Sequence, residues 1–573
     1  MARNVNRRDF VKGGAAAGAA LVMSGLAAGC APQTAPQHQQ AAVPDSAEGA
    51  SELMDAQKAQ APWAFEVPPE PIAESDIGET VEADIIVVGG GTSGLCTALS
   101  AVEAGAQVVL ISASKAPVSR GGSIHGIKSK VMEKCGVEPY DLEKYMERER
   151  ILASNAIDHK KWMKFIRNSE ESINWLADHM EAKGVAMGIE QGAPATLFGP
   201  DDMQCMPLAA HGAYSEDMPA GIGQPLVVNA LAEILTEKGA DVRFQMKGEQ
   251  LVRDDEMRGR VSAVIARDLK EDGFIKFVGR KAIVLATGDF SADKEMMAKY
   301  CPSMLPLIDD GAGEDYDIGL YTKGLYKGDG HKMGLWVGAG WQRNIPNCPM
   351  VNVAQGTGAH AFCGHCGLLL NENGERFSNE LALHSFSGRQ ILNQPGGHAF
   401  AIWGTNYAED NGPWYVDGLC TDPPLTAAEM LESWDIDAAD EYFLKFDTLE
   451  EMVDALGLPA EAALASIERY NALCEAGVDE DFMKRADQMI PLKDGPFYGM
   501  EVQGRFLTVL GGLRTNESLQ VCQDDDTPIE GLYNVGTMIG DYFANTYTFL
   551  MEGANYGNCV TFGYLLGRDL AAL

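Results

Sequence analysis

The chain has 573 residues, of which 46% are hydrophobic and 22% are charged, and both values are ordinary for a globular protein. This length leaves room for roughly three or four domains, and the apolar content excludes a wholly disordered chain. With 45 basic and 82 acidic residues, the formal net charge is −37. A chain this acidic is repelled by phosphate backbones, which argues against nucleic-acid binding.

The N-terminus predicts an export signal over residues 1–29. Arg7-Arg8-Asp9-Phe10-Val11-Lys12 precedes an apolar Gly/Ala-rich stretch that is too short for a comfortable membrane span. The arginine pair resembles the twin-arginine motif, which directs export. The sequence before Cys30 also resembles a lipoprotein cleavage box, which leaves a lipid anchor at Cys30 open. We therefore expect a periplasmic or cell-surface protein.

Residues 30–80 are rich in Ala, Gln, Pro and Glu with little periodicity, and we interpret them as a linker. The 12 cysteines of the chain have irregular spacings that match neither a disulfide framework nor a zinc, haem or iron–sulfur pattern. No metal site is therefore expected. The periodic pattern of a folded domain begins at Val81.

A buried strand from Val81 leads into a glycine-rich turn, a helix to Ala104 and a second strand over 107–112. The turn has the spacing G-x-G-x-x-G. Its first glycine permits the tight turn, the second lets the backbone approach a pyrophosphate, and the third lets the helix pack closely on the strand. The helix N-terminus stabilises the phosphate charge. The residues predicted to bind a dinucleotide here are Gly89, Gly91, Thr92, Ser93 and Gly94.

The second strand lacks the acidic residue that usually holds the adenosine ribose. It ends in Ser112-Ala113-Ser114-Lys115, so Ser112 and Ser114 are the expected hydroxyl contacts. Serine and lysine together would also suit the 2′-phosphate of NADP, but an exported enzyme lacks a nicotinamide supply. The simpler interpretation of Lys115 is a solvated loop residue.

Later segments extend this pattern. Gly121-Gly122-Ser123 follows the second strand, 280–291 is a strand that breaks into a glycine turn, Gly328-Asp329-Gly330 begins a helical stretch, and Gly531–Gly536 precedes a closing helix at 559–573. Together these segments resemble the flavoprotein subunits of the fumarate reductase and succinate dehydrogenase superfamily, which includes soluble fumarate and urocanate reductases and 3-ketosteroid dehydrogenases. The resemblance covers about 81–573 and implies FAD as the cofactor. The further cofactor-binding residues that it implies are Gly121, Gly122, Ser123, Ala286, Thr287, Gly288, Asp329, Gly536, Asn555, Asn558 and Cys559.

The fold that the resemblance implies is α/β, with a Rossmann-type FAD-binding domain interrupted by an α+β cap domain. We expect the FAD-binding domain at 81–340 and 508–573 and the cap at 341–507. Residues 371–380 within the cap resemble the family's G-x-R-F-x-N-E segment. The resemblance implies that substrate is held between flavin and cap, and that residues 553–563 direct a helix N-terminus at the flavin.

The carboxylate clamp of the fumarate reductases is largely missing from this chain. Paired arginines orient a diacid and stabilise charge on the enolate. Carried over by position, the family's proton-donating arginine becomes His384 and the histidine of its H-T-M-G-G stretch becomes Thr508. The family's G-A-N-R stretch falls near 547–550, which contain no arginine, and its proton-delivery chain falls near His360 and Cys363. Fumarate is therefore not the expected substrate.

The sequence predicts an aromatic site with few polar groups, contributed by Tyr542, Phe543, Tyr547, Phe549, Tyr556, His360, His365 and His384. Such a site suits a flat, neutral or aromatic alkene, such as an enone steroid, a hydroxycinnamate or a stilbene. Simple core packing is the alternative for each of these aromatic side chains. His384 is the preferred proton donor because imidazole titrates near neutrality. Tyr547, Tyr556 and His360 are the other catalytic candidates, whereas Arg389 is expected at the surface or in a salt bridge.

The leading hypothesis is an exported FAD-dependent reductase that saturates an activated C=C bond in anaerobic respiration. The sequence has no haem motif or evident FMN-attachment domain, so a separate donor, a membrane-linked cytochrome or flavoprotein, is expected to supply electrons. The alternatives are a ketosteroid-type dehydrogenase that runs the reverse reaction and a flavin electron-transfer protein without catalysis of its own. Cys363 and Cys366 have the C-x-x-C spacing of disulfide exchangers, with packing near the pocket as the alternative.

Overall fold

The computed structural model describes residues 62–190, 206–313, 316, 324–354, 367–381, 384–411, 414 and 418–573. Its main sheet is built around β1 (Ile77–Val88), whose last four residues form a continuous apolar run buried on both faces. β1 pairs in parallel with β2 (Val108–Ser112) on one side and with β9 (Phe274–Leu285) on the other. The carboxyl ends of these strands therefore meet at one edge of the sheet.

The other strands follow in chain order. They are β3 (Ile124–His125), β4 (Ala186–Ile189), β5 (Ala210–Tyr214), β6 (Asp241–Phe244), β7 (Met246–Arg253), β8 (Val261–Asp268), β10 (Cys348–Ala354), β11 (Leu368–Leu370), β12 (His398–Gly404), β13 (Leu444–Phe446), β14 (Phe497–Leu510), β15 (Gln520–Cys522) and β16 (Pro528–Asn534).

The α-helices are α1 (Thr92–Glu103), α2 (Lys130–Cys135), α3 (Leu142–Leu152), α4 (His159–Ala182), α5 (Gln224–Glu237), α6 (Asp254–Met257), α7 (Lys294–Tyr300), α8 (Asp329–Trp336), α9 (His384–Leu392), α10 (Tyr407–Asp410), α11 (Ala427–Ala439), α12 (Leu449–Ala455), α13 (Ala460–Ala476) and α14 (Ala554–Ala571). None of the helices in the described ranges is both long and apolar enough to cross a membrane.

Three sheets organise the described residues. The main sheet has eight strands in the order β15-β16-β9-β1-β2-β6, with β8 pairing antiparallel to β9 and β7 pairing to β8. A five-stranded antiparallel sheet has the order β10-β14-β12-β11, and β13 also pairs with β14. A small sheet has the order β3-β5-β4. The predicted α/β class is confirmed.

The five-stranded sheet has a hydrophobic core of its own, formed by buried side chains between Val353 and Val502. The main sheet is covered on its two faces by two further cores, one of which includes α1 and α14. The boundaries of the cap at 341–507 stay a prediction. The paired strands β10 and β14 extend to Cys348 and Leu510, whose side chains are buried in the core that includes α1 and α14.

Two predicted boundaries differ from the structure. β1 begins at Ile77 and not at Val81, and Phe65 within the predicted linker is buried against Tyr300. Residues 78–80 are exposed and show no apolar pattern, so the sequence does not predict this part of the strand. It is a strand because it pairs with β9. The closing helix α14 begins at Ala554, five residues before the predicted start.

Candidate active site

A cavity of about 440 Å³ opens at the carboxyl ends of β1, β2 and β9. The turn after β1, the end of β2 and the loop after β9 form one wall, because these strands are parallel and adjacent. The residues predicted from the sequence that line it are Gly89, Gly91, Thr92, Ser93, Ser112, Ser114, Gly121, Gly122, Ser123, Ala286, Thr287, Gly288, Asp329, Tyr547, Phe549, Asn555, Tyr556 and Cys559. One surface thus gathers residues from both ends of the described chain.

The glycine turn positions the N-terminus of α1 at this cavity. Gly91 is the N-cap residue and offers no side-chain cap, while Thr92 and Ser93 line the cavity. Uncapped backbone N–H groups at a helix N-terminus suit a pyrophosphate. Gly89 has a φ of 126°, and a Cβ there would overlap the carbonyl oxygen of Ala286. The residues at this turn therefore fit the phosphates of a dinucleotide.

Three residues predicted to contact the cofactor lie behind the cavity wall. A Cβ on Gly94 would overlap the carbonyl oxygen of Gly89, which fits the predicted role of this glycine in close helix–strand packing. A Cβ on Gly536 would overlap Ser93 Oγ. Asn558 Nδ2 donates to the carbonyl of Asn555 at 2.7 Å. All three support residues of the wall without lining it.

Two serine hydroxyls lie at the end of β2, where the sequence lacks the usual ribose-binding acid. Ser114 Oγ donates to the carbonyl of Ala116 at 2.7 Å, so the 2.9 Å bond between the two serines is donated by Ser112 Oγ. Lone pairs of Ser112 Oγ remain for a ribose hydroxyl. Nearby, Tyr316 donates to Asp329 Oδ2 at 2.8 Å, and Lys247 Nζ lies 3.9 Å from Asp329 Oδ1.

A buried glutamine ties the glycine turn to the predicted flavin loop at 121–123. Thr92 Oγ1 donates to Gln224 Oε1 at 3.2 Å, and Gln224 Nε2 donates to the carbonyl of Gly122 at 3.1 Å. Ser123 Oγ donates to Glu190 Oε2 at 2.8 Å. Sequence reasoning missed Gln224 and Glu190, because each lies at an element boundary far along the chain and belongs to no local motif.

Helix α14 directs its N-terminus at the other side of the cavity. Its N-cap residue is Gly553, with a φ of 75° and no side-chain cap, and Asn555, Tyr556 and Cys559 line the cavity. Burial raises the pKa of Cys559 to about 12, so its thiol stays protonated. The N-terminus of α14 thus lies at the cavity, and its direction toward the flavin stays a prediction.

The start of α14 also corrects the placement of the family's G-A-N-R stretch near 547–550. Gly553-Ala554-Asn555 spells the letters G-A-N, and these residues open α14 at the cavity. The arginine position is therefore Tyr556, whose hydroxyl donates to the carbonyl of Arg120 and accepts from Ser119 Oγ at 3.1 Å. The conclusion that no arginine occupies this position is unchanged.

Tyr547 is buried, 3% exposed, and lines the cavity. Its hydroxyl accepts the backbone N–H of Asn555 at 3.4 Å, and no acceptor for the hydroxyl proton is present among the described residues. Burial raises the pKa of Tyr547, against the lowering effect of the Asn555 N–H. The ring meets Phe549 edge-on with centroids 4.7 Å apart. A protonated phenol therefore faces an aromatic part of the cavity.

The predicted histidines cannot be placed at the cavity. His360, His365, Cys363 and Cys366 lie outside the described residues, as does the side chain of His384, although His384 begins α9. Arg389 on the same helix is half-buried and donates to the carbonyl of Asn545 at 2.9 Å. The expected surface position of Arg389 is thus met in part, since this hydrogen bond is exposed; no salt bridge of Arg389 is present among the described residues.

Thr508, which stands at the family's histidine position, is engaged with a buried carboxylate. Its hydroxyl and the N–H of Val509 both donate to Asp289 Oδ2. Backbone N–H groups of Ser291 and Tyr326 donate to Asp289 Oδ1 at 3.2 and 3.3 Å. Burial raises the pKa of Asp289 against these hydrogen bonds. The Asp289 carboxylate accepts these four hydrogen bonds. Through them it joins the loop after β9 to β14.

The R-F-x-N-E segment forms a buried ion-pair cluster within the cap. Arg376 bonds Glu380 at 2.8 Å and Asp479 at 2.8 Å, and Lys484 Nζ lies 3.1 Å from Glu380. Burial opposes ionisation of Glu380, but the Lys484 ammonium and the Arg376 guanidinium hold its pKa below the usual range. None of these four residues lines the cavity. The motif therefore joins residues 376–380 to residues 479–484 within the predicted cap, away from the cavity.

The cavity contains few charged side chains among the described residues, namely Arg120, Lys247, Asp289, Asp329 and Glu552. Arg120 donates to the carbonyl of Leu507 in β14 and so reaches from the flavin loop to the cap. Sequence reasoning missed Arg120, although it directly precedes the predicted Gly121.

No group of three or more His, Cys, Asp or Glu in the described ranges is arranged to hold a metal ion.

Comparison with known proteins decides what this cavity holds. The FAD binding domain family matches residues 84–548. The chain belongs to this family. The TAT (twin-arginine translocation) pathway signal sequence matches residues 4–24. The protein is therefore an FAD-binding oxidoreductase, and its N-terminus supports export by the twin-arginine pathway.

The relatives confirm the resemblance inferred from the sequence motifs. The chain is 24% identical to a vinyl phenol reductase of Lactiplantibacillus plantarum over 85% of this chain and 95% of that protein. It is also 24% identical to a digoxin reductase of Eggerthella lenta, over 100% of this chain and 98% of that protein. The open conformation of a flavocytochrome c3 fumarate reductase has the same fold, with a TM-score of 0.63 and 22% identity over 90% of this chain and 83% of that one.

Proposed function

We propose that this protein, once exported, reduces the activated C=C bond of a flat, mostly neutral acceptor such as an enone, an enoate or a phenylpropenoid, and that Tyr547 donates the proton. FAD, when bound, supplies the hydride. The observation that carries the proposal is the buried phenol of Tyr547, which lines the cavity and keeps its proton without an acceptor among the described residues.

Tyr547 is better suited to this role than Tyr556. The Tyr556 hydroxyl already donates its proton to the carbonyl of Arg120, which fixes the ring as part of the wall. The N–H of Asn555 at the start of α14 would stabilise the phenolate that forms as Tyr547 releases its proton. A hydroxyl held in this way is oriented before substrate binds, which favours proton transfer.

The lining near Tyr547 supports an aromatic or enone substrate. Phe549, Met350 and Leu507 contribute apolar surface, and Arg120 is the cation closest in sequence to the predicted flavin loop. One relative is named for vinyl phenol, an aromatic alkene. A single arginine can polarise a carbonyl or hold one carboxylate, but it does not supply the paired clamp that a dicarboxylate requires.

We propose that the reaction runs in the direction of reduction, because the vinyl phenol and digoxin relatives are both named as reductases. Burial raises the pKa of Tyr547, which keeps at neutral pH the protonated phenol that a proton donor needs. The ketosteroid-type desaturation is the alternative, in which the same side chain would act as the base. We also propose a separate membrane-linked cytochrome or flavoprotein as electron donor and a periplasmic or cell-surface location, with a lipid on Cys30 as a further anchor.

The test uses the FAD-loaded exported protein under anaerobic conditions. Its flavin is reduced with a viologen dye, and reoxidation is followed with fumarate, urocanate, hydroxycinnamates, stilbenes and enone steroids. We expect rapid reoxidation by a neutral or phenolic alkene, with little by fumarate. Rapid reoxidation by fumarate, or none by any acceptor, would contradict the proposed substrate class.

The Tyr547→Phe variant tests the proton donor separately. Loss of a general acid should lower the rate of alkene reduction by roughly 10²–10⁴-fold while the FAD content is unchanged. Tyr564→Phe is the matched control, because that hydroxyl bonds Glu171 at 2.7 Å on the outer part of α14. Equal rates in wild type and Tyr547→Phe would show that another group delivers the proton.

A further inference from the structure

Two cysteines that are 285 positions apart in sequence pack against the same small hydrophobic cluster. Cys135 ends α2, and Cys420 lies in a turn of the cap segment. Both pack, half-buried, against one hydrophobic cluster that includes Val131 and Ile189. Burial raises the pKa of Cys420, and the neighbouring Cys135 side chain raises it further.

The backbone around the two cysteines is held in register independently of the thiols. The N–H of Cys420 donates to the carbonyl of Ile189 at 2.8 Å, and Leu419 bridges to Glu190. The Leu419 side chain packs against Gly188 so closely that a Cβ there would lie 2.6 Å from it. Residues 419–420 are therefore docked on β4, beside α2, and the two thiols are brought together by the fold.

We propose that Cys135 and Cys420 form a disulfide after export, which staples the cap segment to the FAD-binding body. Exported proteins reach compartments where disulfides form and persist, whereas the cytoplasm keeps thiols reduced. A pair that meets only in the folded chain fits a protein that folds before export. The oxidant is a disulfide of an exchange protein or a small disulfide compound in that compartment.

The exchange balances as two thiol–disulfide steps. In the proposed exchange Cys135 attacks first and Cys420 resolves the mixed disulfide. The Cys135 thiolate cleaves the donor disulfide, forms a mixed disulfide and releases one thiol. Cys420 then displaces the second thiol, which leaves the protein disulfide and a donor reduced by two electrons and two protons.

The staple would lie next to the cavity wall. Glu190 directly follows β4 and accepts the hydroxyl of Ser123, which lines the cavity, at 2.8 Å. A disulfide at Cys420 would hold residues 419–420 beside Glu190. This link would restrict movement of the cap segment at this side of the cavity. Because the link closes a very long loop, it should also stabilise the folded protein.

The linkage is read directly by peptide mass analysis. The FAD-loaded chain is recovered from the exporting host, and a second sample is treated with oxidised glutathione; both are alkylated without reductant and digested. We expect the peptides that contain Cys135 and Cys420 to be linked, with a mass two hydrogens below their sum, and to separate on reduction. Alkylation of both as thiols after glutathione treatment, or linkage of either to a different cysteine, would overturn the proposal.

Cysteine variants test whether the Cys135–Cys420 disulfide, and not another cysteine, accounts for the effects of oxidation. Oxidation should raise the Tm of the wild type by about 5 °C or more and remove two titratable thiols. Cys135→Ser and Cys420→Ser should each lose both effects. Cys474→Ser, which removes another half-buried thiol on α13, should keep them. Retention of the two-thiol loss in Cys135→Ser would point to a different pair and would refute the assignment.

Discussion

At the scale of single residues, backbone requirements were easier to predict than side-chain contacts. The G-x-G-x-x-G spacing predicts a tight turn at Gly89 and Gly91 and close helix–strand packing at Gly94, and the structure has a turn that ends at Gly91 and Gly94 inside α1. Arg120 and Glu552 reach the same cavity only through tertiary packing, and no local pattern announces them. Only the folded structure shows that these two side chains line the cavity.

Gly94 gives a sharp test at this scale. An alanine there would force its Cβ into the carbonyl oxygen of Gly89, so helix α1 must move away from the turn. We expect Gly94→Ala to weaken FAD binding at least tenfold, which is about 1.4 kcal/mol. FAD occupancy by absorbance measures the effect. Gly273→Ala is the control, since a Cβ there meets no atom within 4 Å, and similar FAD loss in both variants would contradict the prediction.

Glu149 sets a pH dependence of stability. This side chain is 2% exposed and accepts the hydroxyl of Thr548 at 2.7 Å. Burial raises its pKa from 4.5 to about 7 against the effect of that hydrogen bond. The folded protein therefore binds this proton more tightly than the unfolded chain, and stability falls as pH rises from about 4.5 to about 7.

Replacing Glu149 with glutamine should remove this dependence. The ionised carboxylate costs the folded state on the order of 3 kcal/mol above pH 7, so Glu149→Gln should unfold at higher temperature there and show a flatter Tm profile between pH 4.5 and 7. Differential scanning calorimetry across this range measures it. Glu409→Gln alters an exposed carboxylate and should leave the wild-type profile in place. A steeper profile in Glu149→Gln would disprove the assignment.

At the scale of elements, the sequence predicts the middle of a strand or helix better than the residues at which it begins and ends. The apolar run of β1 was evident, but its polar first half at 77–80 is a strand only because it pairs with β9. Likewise, α14 begins at Ala554 because Gly553 adopts a positive φ and caps the helix, whereas the apolar pattern becomes clear only later. The R-F-x-N-E segment was found from resemblance, but its role as a buried cluster in the cap was not predictable.

That cluster makes the cap sensitive to one substitution. Arg376→Met would leave Glu380 and Asp479 buried without their main partner, which typically costs about 3–5 kcal/mol. We expect a lower Tm for the cap and faster proteolysis within 371–484. Arg469→Met removes a surface pair with Glu480 and Asp481 and should leave the Tm unchanged. Equal behaviour of the two variants would argue against a structural role for the buried cluster.

At the scale of the whole molecule, the net charge follows from the sequence alone, whereas the set of residues that line the cavity does not. The cavity gathers residues from Val88 to Cys559, and only the resemblance to a family allowed distant segments to be combined before the fold was known. The net charge of −37 needs no structure, since it depends on composition alone. It bears directly on the proposed encounter with an electron donor.

An acidic surface attracts cationic donors and repels anionic ones at long range. Reduction of the bound flavin by the methyl viologen radical cation should therefore slow by about tenfold between low and molar salt, because the Debye length shrinks from about 30 Å at 0.01 M to about 3 Å at 1 M. Reduction by anionic dithionite should change in the opposite direction. Stopped-flow absorbance of the flavin measures both rates. Salt effects of the same sign for the two reductants would show that the local field at the cavity mouth, and not the net charge, governs the encounter.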